Sequence, residues 1–297
     1  MARTEASGKA HSGPAGAIAT VALVANDASG ASDPALCAER LGMFGAEVRR
    51  FGMDEVDEAV AAGADRIVVA GGDGSIAPVA AAAGAAGMPV AVVPSGTAND
   101  FAGRLGLPDQ LVAACRLAVH GTVTRPLELG WMNERPFVNV ASAGLPAPAA
   151  SRARSWKARL GPLAYAVGAV SAGVSAKPFT CLVQCDGREL LAGEAWQVTV
   201  AASGAFGAGA AIEEADPADG ALEVVAIEAG PRLGLVSLAY RLRSGSATEH
   251  RRAFHARCEH ATLQVPDDTT FNVDGELVTA GEARFRAQNG AFRLVVG

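Results

Sequence analysis

The feature of this sequence that most constrains its fold is a set of short apolar segments, each followed by turn-forming residues. Residues 18–24, 66–70 and 88–93 are rich in small and β-branched side chains, as is typical of strands covered on both faces. Helical segments alternate with these strands. Such alternation predicts parallel β-α-β units and therefore an α/β domain. The predicted helices cover residues 34–42, 54–62, 75–84, 101–105 and 110–120.

After about residue 122 the pattern changes to many short strand candidates. Gly, Asp, Asn and Pro separate these candidates, which favours an antiparallel sandwich or two packed sheets. Two helices, at 160–175 and 233–244, interrupt them. The strand candidates are 123–129, 136–141, 179–185, 195–201, 222–226, 261–265, 271–273 and 283–287.

The predicted organisation is therefore a disordered tail over residues 1–16, an α/β nucleotide-binding domain over 17–124 and a β-sandwich domain over 125–297. Whether the last strand packs back on the first domain is left open. The five cysteines show no metal-ligand spacing and cannot all pair, because their number is odd. Buried free thiols in a reducing compartment are expected.

Charge and hydropathy exclude some classes of protein. A formal net charge of -6 is opposite to the basic field of a general nucleic-acid binder. The most apolar run, 160–176, contains Gly161 and Pro162 and is shorter than the ~20 residues of a spanning helix. No signal peptide is visible, so we expect a cytoplasmic protein without a transmembrane segment.

The first candidate site follows the strand 66–70. Glycines allow the backbone to approach a phosphate closely, and the free amides at a helix start favour an anion. Asp73 cannot bind a phosphate directly, so a cation-linked or hydrogen-bonding role suits it better. A common α/β turn without a ligand is the alternative. The residues of this loop are Gly71, Gly72, Asp73, Gly74 and Ser75.

A second polar loop follows the next strand, at the edge where parallel sheets bind ligands. Thr97 offers a hydroxyl, Asn99 an amide and Asp100 a carboxylate, and Ser95 and Gly96 precede them. The alternative is a helix N-cap with a polar first turn, for which Thr97 or Asn99 would serve.

Two further acidic turns lie in the second half of the chain. Asp216 and Asp219 could both face one hard cation, although an ordinary turn before a strand is the favoured alternative. Asp274-Gly275-Glu276 is typical of a hairpin turn. Alternatively, Asp274 is a base or an orienting group for an attacking hydroxyl, and Glu276 assists it or contacts the metal.

The order of these four segments resembles the catalytic family of the diacylglycerol kinases. That family includes soluble bacterial diacylglycerol kinases, sphingosine and ceramide kinases, and YegS-like lipid kinases. The stretch SGTANDFAGRLGLP (95–108) is the most specific part of a resemblance that covers residues 20–297. Similar segments are GGDGS (71–75), FVNVASAG (137–144), LGPLAY (160–165), DPADGALEV (216–224) and VDGE (273–276).

The resemblance implies an ATP site between an α/β domain of the NAD kinase and phosphofructokinase type and a β-rich sandwich. Asp274 would be the catalytic base, Glu276 its acidic partner, and a lipid hydroxyl the phosphoryl acceptor. Mg²⁺ would lie at Asp216, Asp219 and Ala221. The nucleotide would contact the 71–75 loop together with Asn26, Ser95, Gly96, Thr97, Asn99 and Asp100.

The sequence departs from the family pattern at its first turn. The family has Asn-Pro-x-Ser-Gly followed by a basic residue, whereas this chain has Asn26-Asp-Ala-Ser-Gly and no Lys or Arg before Arg40. Residues 30–64 look shortened by a helix or a strand, and Ser75 replaces Thr. Near Ser203 an Asn of the family is lost. We therefore expect weakened nucleotide binding, with a catalytically silent lipid- or nucleotide-binding protein as one alternative and an NAD kinase-like enzyme as another.

A lipid acceptor implies contact with a membrane surface. A basic cluster precedes the apolar 160–176 segment and could lie on anionic headgroups, or could be an ordinary solvated helix edge. The resemblance leaves open a homodimer and a peripheral association of this cytoplasmic protein with the inner membrane surface. The cluster consists of Arg152, Arg154, Lys157 and Arg159, and a second basic region contains Arg241, Arg243, Arg251 and Arg252.

Overall fold

The computed structural model describes residues 20–25, 33–96, 98–144, 177–203, 212, 215–231 and 251–297. Among the predicted site residues, Asn26 and Thr97 lie outside these ranges. The predicted helices at 160–175 and 233–244, the 1–16 segment and the 152–159 basic cluster also lie outside the described residues.

The described helices all belong to the first half of the chain. The helix α1 begins at a side-chain cap, because Asp33 accepts a hydrogen bond of 2.8 Å from the Ala35 N–H and Pro34 occupies the first helical position. The described helices are α1 (Pro34–Met43), α2 (Val56–Ala61), α3 (Asp73–Ala85), α4 (Asp100–Arg104) and α5 (Leu111–His120).

The described strands form one mixed sheet of 15 strands. They are β1 (Thr20–Ala25), β2 (Glu47–Phe51), β3 (Arg66–Gly71), β4 (Pro89–Pro94), β5 (Val123–Met132), β6 (Arg135–Phe137), β7 (Val140–Gly144), β8 (Phe179–Cys185), β9 (Arg188–Ala201), β10 (Leu222–Glu228), β11 (Ala253–Cys258), β12 (His260–Gln264), β13 (Thr270–Val273), β14 (Glu276–Thr279) and β15 (Glu282–Val296).

The first half of the sheet is parallel, in the order β4-β3-β1-β2. Apolar clusters cover both of its faces, which explains why β1 and β3 are continuous apolar runs without alternation. The strand β2 lies between α1 and α2, within residues 30–64, the segment expected to be shortened. Its composition, EVRRF, is charged because it is an exposed edge strand, and an apolar pattern could not reveal it.

The longest strand, β15, joins the two halves. Its end pairs in parallel with β4, where Arg293 lies opposite Pro89 and Leu294 opposite Val90. Along most of its length it pairs antiparallel with β5, and its beginning pairs with β12. The register shifts between Gln288 and Phe292. The predicted strand 283–287 is thus only the first part of a strand that continues to Val296.

The second half of the sheet is antiparallel, in the order β14-β13-β7-β9-β8-β12-β15, with β10 between β9 and β11. The predicted fold class, an α/β part followed by a β-rich part, is confirmed. The predicted strand 136–141 is wrong in detail, because the backbone leaves the ladder at Val138 and Asn139, between β6 and β7. The sequence pattern also missed β11, in which all residues before the buried Cys258 are exposed or half-buried.

The core contains all five cysteines as buried free thiols. Its largest fully buried side chains include Phe101 and Phe292, whose rings lie 6.4 Å apart between α4 and β15. Within the parts of the chain that the structure describes, no helix has the length and apolar character needed to cross a membrane.

We predict that Gly84→Ala destabilises the fold. Gly84 lies where α3 crosses the register shift of β15, and a Cβ there would be 1.9 Å from the Ala291 carbonyl oxygen. Because the clash is with backbone, the helix or the strand must move, at a cost of about 1–3 kcal/mol. Urea unfolding measures this change in the free energy of unfolding.

The matched control is Gly42→Ala in α1. A Cβ at Gly42 meets nothing within 4 Å, so this change should be neutral or stabilising by up to about 1 kcal/mol. Equal effects of the two substitutions would show that the packing of α3 on β15 is not tight in solution.

Candidate active site

The glycine loop begins where β3 ends. A Cβ at Gly71 would lie 2.6 Å from the Ser75 Cβ, so the tight turn into α3 leaves no space for a side chain. Gly72 is the N-cap of α3, and its carbonyl accepts a 2.9 Å hydrogen bond from the Ser75 N–H. The helix begins at Asp73, two residues earlier than predicted, so Asp73 and Gly74 lie in its first turn.

The second loop lies directly against the first, because β3 and β4 are parallel neighbours that end at the same edge of the sheet. The Ser95 N–H donates a 3.0 Å hydrogen bond to the Gly71 carbonyl. A Cβ at Gly96 would lie 2.5 Å from the Gly72 Cα. A Cβ at Gly72 would lie 3.1 Å from the Gly96 Cα. The two backbones therefore touch, and Gly96 has no room for a side chain.

Asn99 folds the second loop upon itself. Its backbone is left-handed, with φ 54°, a conformation that Asn tolerates better than most residues. Its side-chain oxygen accepts from the Gly96 N–H at 2.8 Å, and its amide donates to the Gly96 carbonyl at 3.1 Å. The amide that we expected to contact a nucleotide is thus used here to shape the loop.

Asp73 connects the two loops. Its carboxylate accepts hydrogen bonds from the Asp100 N–H at 3.1 Å and the Phe101 N–H at 3.0 Å, which are the first amides of α4. Asn99, the N-cap of α4, makes no side-chain cap bond, so the expected cap from within the second loop is supplied by Asp73 instead. Of the two roles considered for Asp73, the structure shows hydrogen bonding.

Asp274 lies in the β13–β14 hairpin with φ 47°, followed by Gly275 with φ 97°. Its carboxylate accepts three backbone N–H bonds from the interruption between β6 and β7. Val138 donates to Oδ2 at 2.6 Å, and Asn139 and Val140 each donate to Oδ1 at 3.0 Å. The hairpin turn and the candidate catalytic position are therefore the same residue, and the two interpretations do not exclude each other.

Burial raises the pKa of Asp274 to about 7, and the nearby Asp73 carboxylate adds to the rise. The three backbone N–H donors oppose it, because they favour the charged form of the carboxyl group. A carboxyl group with a pKa near neutrality is suited to accept a proton at neutral pH.

The hairpin packs against the glycine loop. A Cβ at Gly74 would lie 3.4 Å from both the Asp274 carbonyl oxygen and the Glu276 Oε1. The other oxygen of Glu276 forms an ion pair with Arg135, at the start of β6. Three of the four predicted segments thus meet at the start of α3.

The fourth segment forms a separate acidic turn. The Asp216 Oδ1 accepts from the Ala218 N–H at 3.1 Å and lies 3.4 Å from Arg125. The Asp219 Oδ1 accepts from the Ala221 N–H at 3.0 Å, and its Oδ2 lies 2.8 Å from Arg257. Within the described ranges no three acidic, His or Cys side chains come close enough together to form a metal cluster.

Glu128 on β5 contacts this turn, and the sequence analysis did not identify it as a site residue. It is 1% exposed; its Oε2 accepts from the Gly220 N–H at 2.7 Å, while its Oε1 has no hydrogen-bond partner. Burial raises the pKa of Glu128 to about 8, and Asp219 and Asp216 add to the rise. An acidic residue between two leucines in a predicted buried strand was the available signal.

Arg104 links the acidic turn to the rest of the site. It lies at the end of α4, and its guanidinium donates a 2.7 Å hydrogen bond to the Ala215 carbonyl. Since Asp73 binds the start of the same helix, α4 connects the glycine loop with the turn at Asp216. Sequence reasoning placed Arg104 within a characteristic segment but gave it no role.

The arrangement combines an anion-binding element with a proton acceptor. The start of α3 offers the amides of its first turn and a helix dipole to a negatively charged group. Asp274 lies across from it in a partly water-excluded cradle. This geometry is suited to the activation of a hydroxyl group beside a bound phosphate.

Two family models match the chain, and together they cover most of it. Residues 40–132 match the "Diacylglycerol kinase catalytic domain", and residues 139–296 match the "YegS C-terminal NAD kinase beta sandwich-like domain". The second match begins at Asn139, in the interruption between β6 and β7 whose amides bind the Asp274 carboxylate.

Individual relatives agree with these matches. A Pseudomonas putida protein named "Probable lipid kinase YegS-like" is 31% identical over 80% of this chain and 79% of its own length. A "Diacylglycerol kinase" of Staphylococcus epidermidis is 26% identical over 75% of this chain and 71% of its own length. The crystal structure of a diacylglycerol kinase from Bacillus anthracis superposes with a TM-score of 0.72 at 20% identity, over 94% of this chain and 98% of that one, which shows a common fold.

We predict that Asp73→Asn lowers the free energy of unfolding by about 1–3 kcal/mol. An amide offers one acceptor oxygen where the carboxylate offers two, so one of the α4 amides loses a charge-assisted bond. Urea unfolding gives the loss, and hydrogen exchange should show faster exchange at residues 100 and 101.

The control is Asp57→Asn, an exposed residue in the first turn of α2, for which a change within about 0.5 kcal/mol is expected. The loss at Asp73 should be the same with and without a metal chelator. A loss seen only when divalent metal is present would instead favour the cation-linked role.

Proposed function

This chain belongs to the family of diacylglycerol kinases and YegS-like lipid kinases, and we propose that it transfers the γ-phosphate of ATP to a hydroxyl group of a diacylglycerol-like lipid. The observation that supports this most is the meeting of the glycine loop with Asp274, whose pKa is raised to about 7. A phosphate-binding element and a base beside it are the two parts that phosphoryl transfer to an alcohol requires.

In this proposal the nucleotide phosphates bind at the start of α3. The amides of the first turn and the touching loops at Gly72 and Gly96 form the phosphate-binding surface. The hydrogen bonds of Asp73 and Asn99 hold this surface in place, so these two side chains act by shaping the loops. The proposed nucleotide contacts also include Ser75, Ser95, Asp100, and Asn26 and Thr97 outside the described residues.

Asp274 acts as the general base. Its carboxylate takes the proton of the acceptor hydroxyl, whose oxygen attacks the γ-phosphorus while the bond to the bridging oxygen of ADP breaks. The three backbone donors fix the carboxylate so that it does not need to reorient during the reaction. Glu276 is the adjoining acidic group on the same hairpin.

The proposal assigns a divalent cation to the acidic turn, where Asp216 and Asp219 pair with Arg125 and Arg257 in the structure. The Oε1 of Glu128 is a buried acceptor without a hydrogen-bond partner; burial and the carboxylates of Asp219 and Asp216 raise the pKa of Glu128, while Arg257 opposes the rise. Asp216, Asp219 and the Ala221 carbonyl would hold Mg²⁺, with water completing its shell as is usual for this ion. The cation would neutralise the turn and stabilise its contact with α4.

The acceptor brings the protein to a bilayer, on this proposal at the inner membrane surface. Of the two basic regions, only Arg251 and Arg252 fall within the described residues. Arg252 donates to Glu228 and to the Ala229 carbonyl, so it is engaged within the protein. Arg251 is exposed, so a role of basic residues in membrane contact rests on Arg251 and on segments outside those ranges.

The test of the function is incubation with labelled ATP, Mg²⁺ and a total lipid extract, followed by identification of the labelled product. We expect a phosphorylated glycerolipid, and no product without Mg²⁺ or in Asp219→Asn. Label on NAD and on no lipid would favour an NAD kinase-like enzyme. Lipid binding without any affinity for Mg²⁺-ATP, measured by calorimetry, would favour a catalytically silent protein.

We predict that Asp274→Asn lowers kcat by at least about 100-fold, which is the usual contribution of a general base. In the unaltered protein kcat/KM should rise with pH and level off above about 7, because the base acts only when ionised and its pKa is about 7. Activity assays between pH 5.5 and 8.5 measure both effects.

The chain contains a matched control for this substitution. Asp186 has the same φ of 47°, precedes Gly187 in the β8–β9 hairpin, and accepts a 3.0 Å bond from the His260 N–H. Asp186→Asn therefore reports the effect of the same change at an aspartate of the same φ outside the site, and should leave turnover intact. Equal losses of activity in the two variants would assign Asp274 a role in folding alone.

A further inference from the structure

The described part of the proposed phosphate site is strongly acidic. Asp73, Asp274 and Glu276 surround the start of α3, and a nucleotide adds further negative charge. Phosphoryl transfer requires positive charge near the transferring group. The first turn does not supply it, since no Lys or Arg occurs from Asn26 until Arg40. Arg40 itself is engaged with Glu39 and Met43 on α1.

Arg135 is the cation that the structure places beside this acidic group. It begins β6, three residues before the Val138 amide that binds Asp274. Its guanidinium contacts the Oε2 of Glu276, whose Oε1 lies against Gly74 of the glycine loop. One carboxylate thus separates the guanidinium from the proposed phosphate position.

The pair between Arg135 and Glu276 is exposed, with 45% and 57% of the two side chains accessible. An ion pair in such a position contributes little to folding stability. Both side chains are long and accessible to solvent at the edge of the site. A guanidinium also matches a phosphate group with two parallel hydrogen bonds, which an ammonium group cannot do.

We propose that Arg135 is the phosphate-binding cation of this site. Glu276 holds the guanidinium in the nucleotide-free protein, and the guanidinium transfers to the γ-phosphate when ATP binds. This inference rests on the proposed function, because it assigns a residue to the same nucleotide site. It gives Glu276 a second task, namely to keep Arg135 near the loop while the site is empty.

Nucleotide binding tests the proposal without any need for turnover. The affinities of a non-hydrolysable ATP analogue and of ADP are measured by calorimetry for the unaltered protein and for Arg135→Ala. The substitution should weaken binding of the analogue by about 10-fold or more and leave ADP nearly unchanged, since only the triphosphate carries the group that Arg135 contacts. Arg135→Gln gives a second neutral variant, and Arg135→Lys should fall between.

Two comparisons separate this role from a purely structural one. Arg284→Ala removes a similarly exposed ion pair, with Glu282 at 2.8 Å, and should change neither affinity. Glu276→Gln frees Arg135 and should preserve or tighten binding of the analogue. If Glu276→Gln instead reproduced the loss seen in Arg135→Ala, Arg135 would act only by positioning Glu276, and the proposal would be wrong.

The remaining outcomes are also decisive. An unchanged preference for the triphosphate in both neutral variants overturns the role of Arg135 and leaves the kinase proposal intact. Failure of the unaltered protein to bind either nucleotide overturns both proposals together. Circular dichroism of each variant confirms that the comparison is made between folded proteins.

Discussion

Strand β15 provides the backbone hydrogen bonds on which the rest of the structure depends. It pairs with β4 of the parallel half and with β5 and β12 of the antiparallel half, so a single strand fixes the position of one half relative to the other. The shift in its register between Gln288 and Phe292 lies where α3 packs closely on it, at Gly84. By aligning the two halves, this strand helps to bring the start of α3 and the β13–β14 hairpin face to face.

Backbone hydrogen bonds also explain how the Asp274 carboxylate is kept within the site. Three successive amides can converge on one side chain only where a strand leaves its ladder, as the chain does at Val138 and Asn139. The interruption is itself supported: Asn139 accepts from the Ser203 hydroxyl at 2.6 Å, and the Ser203 amide donates to the Val138 carbonyl. Asp274 is thereby held in place while burial still raises its pKa towards neutrality.

Much of this fold could be predicted from the sequence, and the exceptions have physical reasons. Buried strands such as β1 and β3 consist of consecutive apolar residues because both of their faces are covered. The edge strand β2 carries charged residues and gives no such signal. The cap of α4 was expected nearby in sequence but comes from Asp73, which lies 27 positions away from Asp100. Long-range hydrogen bonds of this kind depend on tertiary structure, which local patterns do not encode.

In the candidate site, too, local sequence is not enough to identify a functional residue, as two Asp-Gly dipeptides show. Asp186-Gly187 and Asp274-Gly275 occupy equivalent hairpin turns with the same φ at the aspartate, and by local sequence they are alike. Their surroundings differ, because Asp186 accepts from amides of the exposed β11–β12 connection whereas Asp274 faces Asp73 and the glycine loop. The two aspartates can be distinguished from the sequence only by the order of the distant segments that resemble the family, and not by the Asp-Gly dipeptide itself. The candidate site therefore depends on which turns the long strand brings together. The proposed role of Arg135 likewise depends on tertiary structure, because it follows from the contact of Arg135 with the Glu276 carboxylate.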